Sequence, residues 1–488
     1  MQIQIQSLLA TLATLAVAGV PTAPGFSYSP GTELISWVDL NGHQGPSDLA
    51  TFNVTAHKAT VSELTLSGTS VTSITGFAAL PTLQYAYLDH NNAASLDFTG
   101  CSALKHLDLN TGNVASVKVA GCSALRYLNL TSNSITALDL TGCSALLTVE
   151  VGQCSLTSLD LSVCPTVQSA RATNNGLATL DTTGCTALTH LYLSGNAIAA
   201  LDVSTCSALS VLGCAWNGLD TLDVTGCSAL VTLACENNHL VTLDAAGCTS
   251  LFNLTCFHNL LTTLDITDCA GIDNADCHQN SLTVLDVTHC VSLRSLIAST
   301  NSIAALDFSA CPSLQILDVG SNALTALDVT GCHSLIFLIC GSNALAGLDV
   351  TECTNLVTLG CYNATLATLD VTHCTQLDDL TCGNNSLAAL DLTQCSVLYS
   401  LTCSNNELTT LDLSFCGEVR FVACNGNELS VLAVNTMLAG FVTSAVNGGT
   451  FFSSGQTPAA SPTVGPPDGL AARTTLEGLA SPWTVTTD

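Results

Sequence analysis

The sequence predicts a repeat solenoid: a rod of about 18 stacked coils with short parallel strands on two faces, capped at both ends. Three observations carry this. The pair Leu-Asp recurs at Leu96-Asp97, Leu138-Asp139, Leu159-Asp160 and Leu180-Asp181. It continues every 21 residues to Leu411-Asp412, with Val117-Lys118 and Leu432-Ala433 in the same register. In step with it runs a cysteine column of 16 members from Cys101 to Cys416, 315 residues without an insertion or deletion. The third observation is composition: 48% of the 488 residues are apolar and only 9% are charged, so there is material for a large core and little for a solvated coil.

One unit, residues 122–142, reads CSALRYLNLTSNSITALDLTG. It holds the pattern LxxLxLxxNxL on Leu125, Leu128, Leu130, Asn133 and Ile135, which is the pattern of leucine-rich repeats. Its second half, IxxLDL, repeats the spacing of the first. The unit resembles the short 21-residue bacterial class of leucine-rich repeats called IRREKO, with internalin-like arrays as wider relatives. The resemblance covers roughly residues 61 to 435. It implies a leucine-rich-repeat rod and adhesion to, or recognition of, a protein or glycan. Two irregular coils without cysteines, residues 61–74 and 83–96, precede the regular ones. With strands stacked about 4.8 Å apart the rod is about 85 Å long.

Each column of the repeat has a physical reading. In LxL segments the side chains alternate, so the leucines point inward and the middle residue points out. The asparagines Asn133, Asn175, Asn196, Asn217 and Asn238, with successors to Asn427, form a ladder at the turn after the strand; their amides bond backbone groups freed there. The ladder breaks at Gly112, Cys154 and Ala364, where coils are expected to be weaker. A second cysteine column, eight residues after the first, has nine members from Cys214 to Cys424, and Leu, Val or Ala fills it in seven other coils. That interchange reads as small apolar core residues, because a disulfide or metal partner would not be exchanged for Leu.

The aspartate column has 15 members from Asp97 to Asp412 and lies beside a Thr/Ser row. Neighbouring carboxylates about 5 Å apart repel by roughly 1 kcal/mol in water, so something must offset them. Hydroxyl and turn-amide hydrogen bonds are one answer. Calcium is the other, but it wants six to eight oxygens and one Asp per coil supplies few. His278, His289, His333 and His373 each adjoin a cysteine, yet adjacent residues on a strand face opposite ways, so no metal site is expected.

The net charge is −29, with 8 Lys+Arg against 37 Asp+Glu. This argues against nucleic-acid partners and anionic membranes, both of which need cations to meet phosphate. There is no G-x-S-x-G, H-E-x-x-H or phosphate-cradling glycine loop, so neither an enzyme nor a cofactor is expected. Recognition is expected on the outward positions of the LxL face, which vary from coil to coil while the scaffold stays fixed. They carry His190, Tyr192, Phe257, Asp276, His278, Phe337, Ile339 and Tyr362, the candidate ligand-binding residues, and Phe and Tyr stand out in a chain with 5% aromatics. The Asp face is monotonous by comparison.

The expected organisation is an N-terminal segment and cap (residues 1–60), the solenoid (61–435) and a C-terminal cap or small strand-helix-strand module (436–488). Residues 7–20 are apolar but too short to span a membrane. They read as a signal-peptide core with Ala16-Val17-Ala18 as cleavage site, or, since MQIQIQ lacks the basic residues of such a leader, as a short helix. Beyond Val434, residues 448–456 read as a strand, Asp468 as the cap of a helix from Gly469, and residues 482–488 as a last strand. The expectation is a binding rod on a bacterial surface or outside the cell, with a protein or glycan partner. The alternative is a self-assembling fibre or virion or surface-layer component.

Overall fold

The computed structural model describes residues 72–443 without interruption, together with 34–36, 52–53, 62–65, 448–456, 469–478 and 483–487. The fold is the expected solenoid. Its spine is one parallel sheet, of 21 strands among the described residues. Seventeen of these, from Tyr85–Tyr87 to Phe421–Ala423, follow each other every 21 residues. Pairing is in register, Leu191 beside Leu212 and Leu212 beside Leu233. In strand after strand the middle side chain is buried and its two neighbours face out, as in His190–Tyr192 and Asn253–Thr255. A lone coil could not cover its leucines; stacked coils bury them as one continuous core from Leu64 to Val485.

The second face differs from expectation. Among the described residues, strands there occur only as isolated pairs, such as Ser158–Asp160 with Thr179–Asp181 and Thr242–Asp244 with Thr263–Asp265. Further along only the bridges Asp349↔Asp370 and Asp370↔Asp391 remain. The Asp side chain captures a backbone amide of the turn that follows it, as Asp202 does at Ser204, and this leaves only a short segment for pairing.

At the turn leaving the long sheet, one residue per coil sits in the left-handed region, among them Thr111, Trp216, Thr300 and Asn384 with φ between 54° and 57°. The ladder asparagine follows it. Asn259 is typical: Nδ2 donates to the carbonyls of Cys235 (3.0 Å) and Cys256 (3.1 Å), and Oδ1 accepts from Leu240 N–H at 3.0 Å. Each amide thus ties its own turn to the preceding coil. The three breaks differ. At Cys154 the thiol donates to Leu130 O at 3.2 Å, the carbonyl an asparagine would reach. At Gly112 no side chain bridges the coils, and an added Cβ would lie 2.9 Å from Asn91 O and 3.0 Å from Asn133 Oδ1, so the neighbouring backbone and rung crowd the site. Ala364 offers neither donor nor acceptor.

All 26 cysteines are free thiols, and all but the half-buried Cys154 are buried. First-column thiols donate to the carbonyl 24 residues earlier, as from Cys143 to Val119 (3.2 Å) and Cys185 to Leu161 (3.3 Å). Burial pushes the Cys101 thiol up to about 11 and the Cys122 thiol up to about 12, so these groups stay protonated and inert. Denatured protein without reductant is expected to titrate 26 thiols, while native protein reacts at Cys154 alone. A denatured count well below that number would contradict the packing role.

Both ends carry the stacking further than the 21-residue register. Leu34–Ser36 pairs with Glu63–Thr65, and Phe52–Asn53 with Ile74–Thr75, so both strands of a further coil lie where only a cap was expected. At the other end a helix, Val431–Thr443, occupies the position of a Leu-Asp segment. The repeat pattern conceals it, because Leu432-Ala433 fits the register. Ala433 lacks the carboxylate that makes the turn, and Val434, Met437, Leu438 and Phe441 fall on one helical face, which is buried. Gly449–Phe452 and Trp483–Thr486 then add two strands to the long sheet, with helix Gly469–Glu477 between them. Gln456 is the next ladder rung: Nε2 donates to Cys424 O (2.9 Å) and Ser453 O (2.8 Å), and Oε1 accepts from Leu429 N–H (3.1 Å). Gly455 before it has φ 71°, matching the turns upstream. The candidate signal segment and Asp468 lie outside the described residues. No described helix is long and apolar enough to cross a membrane.

Candidate functional site

The outward positions of the long sheet are the part of the molecule that changes from coil to coil. The eight candidate residues all lie on this face but do not converge. Strands are about 4.8 Å apart, so the strands bearing Tyr192 and Phe337 are about 34 Å apart. Three patches result.

The first is His190 and Tyr192, on one strand, with rings 6.4 Å apart. Arg171, from the preceding coil, lies over the Tyr192 ring at 4.2 Å and adds a cation–π contact. Burial lowers the His190 pKa, favouring the neutral ring.

The second patch is the central one. Phe257 stacks on His278 at 4.6 Å, and His278 Nδ1 lies 2.5 Å from Asp276 Oδ1. Two carboxylates flank them. Glu236 Oε2 accepts from Thr255 Oγ1 (2.9 Å), and Asp318 accepts from Ser299 Oγ (3.0 Å) and Gly320 N–H (3.0 Å). Desolvation raises the pKa of both, and Asp276 adds repulsion to each.

In the third patch, Phe337 is half-buried and faces out. Ile339 is a correction. Its offset places it toward a partner, yet it is only 6% exposed. Glycine makes the difference: a Cβ on Gly360 would meet Ile339 Cδ1, so the missing side chain lets Ile339 lie down on the sheet. Gly341 does the same for Tyr362, whose ring would stand 2.9 Å from a Cβ there. Tyr362 therefore presents a ring face, half-buried.

Several further residues on the same columns are not singled out by the repeat pattern. At the N-terminal end His106 is sandwiched between Tyr87 (4.8 Å) and Tyr127 (4.4 Å, nearly parallel). Burial lowers the His106 pKa, and its Nε2 has no hydrogen-bond partner among the described residues. Arg171, Glu236 and Asp318 belong with these. Their signal is present in the sequence, at the same outward offsets in neighbouring coils.

On the opposite face one oxygen of each column aspartate braces its own turn. All fifteen aspartates of the column accept the backbone N–H two residues on, as Asp202 does from Ser204 (2.9 Å) and Asp265 from Thr267 (3.0 Å). Many also accept the hydroxyl there, Asp265 from Thr267 Oγ1 at 2.7 Å. Hydrogen bonds from this residue hold Asp97, Asp202, Asp265 and Asp412 below the usual carboxylate range. A carboxyl whose folded pKa is depressed stabilises the fold above the unfolded value, about 3.9, and loses that contribution as pH falls through the folded value. The melting temperature is expected to hold from about pH 7 to 5 and to fall below about pH 4. Asp265→Ala is expected to lower it at neutral pH, and Asp265→Asn, which keeps an acceptor but loses the charge that the fold favours, to lower it less. Thermal melts of the two variants check this.

Among solved structures, the chain is similar to the functional domain of InlJ from Listeria monocytogenes, which includes a cysteine ladder. The two are 30% identical, the match covers 68% of this chain and 74% of that one, and the TM-score is 0.53. The chain belongs to the leucine-rich-repeat family. The fold is shared by YopM from Yersinia enterocolitica WA-314, at 19% identity, 76% and 83% coverage and TM-score 0.50. It is shared too by PEPR1, solved with AtPEP1, at 16% identity, 78% and 66% coverage and TM-score 0.53. No protein-family model and no curated protein matches the sequence. As a leucine-rich-repeat protein, the chain has cysteine columns that serve the interior of the rod, and its variable chemistry lies on the long sheet.

Proposed function

We propose that this protein is a non-enzymatic binding rod, displayed outside a bacterial cell, that recognises a protein partner through the outward columns of its long sheet. One observation carries the reading. The two faces of the same scaffold differ in kind: one repeats an exposed aspartate that braces its own turn, while the other gathers half-buried Tyr, Phe and His side chains, with Arg171 beside them, that change from coil to coil. Such side chains supply most of the binding energy in protein interfaces, because they combine large apolar area with a polar tip. His190, Tyr192, Phe257, Asp276, His278, Phe337 and Tyr362 form the contact set, joined by Arg171, His106 and Tyr127. Family membership supports a binding role, and a rod built by stacking offers a long surface rather than an enclosed pocket.

Parallel protein and glycan arrays, probed with the full chain and with the triple variant Phe257→Ser, Phe337→Ser, Tyr362→Ser, test this. The expected result is a protein ligand held by the full chain and lost by the variant, whose circular dichroism is unchanged. Binding to glycans alone would contradict the protein assignment, and a ligand retained by the variant would contradict the face.

A further inference from the structure

The central patch has a charge pattern that selects one kind of partner. Between Arg171 and Arg420 the sequence contains a single cation, Arg294. That arginine is engaged by Asp273, at 2.6 Å, on the edge of the sheet. Glu236, Asp276 and Asp318 therefore share the middle of the long face with no lysine or arginine paired to them among the described residues. They are not ordinary surface acids. Glu236 and Asp318 are half-buried and desolvated, and Asp276 is close enough to repel both; Glu236 and Asp276 each spend one oxygen on a neighbouring hydroxyl or ring nitrogen, while Asp318 accepts one hydrogen bond on each oxygen. Between them lies the flat Phe257–His278 stack, 4.6 Å from ring to ring. Asp276 and Asp318 stand at the same outward position two strands apart, about 10 Å along the rod.

Resting on the protein-recognition reading above, we infer that this centre receives a basic segment of the partner, whose lysine or arginine side chains enter between Glu236, Asp276 and Asp318 with their stems against Phe257. The chemistry fits at each point. A cation relieves the mutual repulsion of half-desolvated carboxylates, which water does poorly there. The remaining carboxylate lone pairs accept charge-assisted hydrogen bonds. The aromatic face takes the methylene stem or the charge itself. The interval of about 10 Å matches three residues of a polyproline-like segment, in which residues three apart share one face, so a segment with basic residues three apart would meet Asp276 and Asp318 together. The fifteen aspartates of the other face are exposed and keep Oδ2 toward solvent, where water already serves it, so a cation gains little there.

The probe is a short blocked peptide with two lysines three residues apart, compared with the same peptide carrying acetyl-lysine. Carbodiimide coupling of the lysine amines to carboxylates of the full chain is mapped by mass spectrometry, and affinity is measured by calorimetry. The expected coupling sites are Glu236, Asp276 and Asp318, enriched over the aspartate column. The isosteric variant Glu236→Gln, Asp276→Asn, Asp318→Asn is expected to bind about tenfold or more weakly, and the acetylated peptide not at all. Asp349→Asn with Asp370→Asn on the opposite face serves as control and is expected to change nothing. Coupling spread over all carboxylates according to exposure, or equal binding by the triple amide variant, would overturn the inference. So would a captured partner whose binding is indifferent to these three substitutions but lost on Phe257→Ser, Phe337→Ser, Tyr362→Ser, a result that leaves the recognition face itself intact.

Discussion

Asn259→Ala is expected to destabilise the rod by about 3 kcal/mol, the loss of three buried hydrogen bonds at about 1 kcal/mol each. The Leu240 amide and the Cys235 and Cys256 carbonyls would lose that partner in a place closed to water, since Asn259 is buried. Because the rung joins two coils, the damage falls on the coupling between neighbours, on which a quasi-one-dimensional fold depends. Unfolding is then expected to separate into two transitions, with hydrogen exchange accelerated on both sides of the break. The natural gap at Ala364 allows the reverse experiment. Ala364→Asn restores a donor and an acceptor next to Leu345 and is expected to add about 1 kcal/mol or more. Equilibrium denaturation of the two variants measures both effects, and opposite signs are expected.

Phe451→Ala is expected to cost about 4 kcal/mol and to release the last two coils. Phe451 is fully buried, packs edge-on against Phe441 at 5.7 Å, and pairs in register with Val422 on one side and Val485 on the other. Its removal leaves a void where helix Val431–Thr443 meets the sheet. Gln456→Ala attacks the same coils by another route, through the ladder bonds to Cys424, Ser453 and Leu429. Both variants are expected to become sensitive to proteolysis after residue 443 while the coils before Phe421 keep their protection. A protease digest resolved by mass spectrometry reads this out. Uniform destabilisation along the rod would show that the C-terminal coils are not a separable end.

The repeat makes the scaffold legible because a periodic column leaves no freedom. Leu128, Leu130 and Asn133 must each occupy the same place as their counterparts 21 residues away. The ladder, the core columns and the outward face can be read from one unit. What resists reading is non-periodic. The helix Val431–Thr443 hides inside a continuing register, and only the loss of the aspartate at Ala433 marks the change. Gln456 performs an asparagine's task 29 residues after Asn427 instead of 21, so spacing conceals it. Ile339 shows a different limit. Its offset puts it on the outward face, but the neighbouring Gly360, one coil on, decides whether the side chain stands up or lies down. That contact runs across the stack, where a reading along the chain does not look. Likewise Glu236 and Asp318 join Asp276 only when coils are placed side by side.

The most direct test of the recognition face is an oxidative footprint of the full chain bound to its captured partner. It compares labelling of aromatic and acidic side chains with and without that partner. The proposed recognition face predicts protection of Tyr192, Phe257, Phe337 and Tyr362 on the long sheet, with the aspartates from Asp97 to Asp412 labelled as in the free protein. Protection confined to the aspartate face, with those four rings left open, would contradict it.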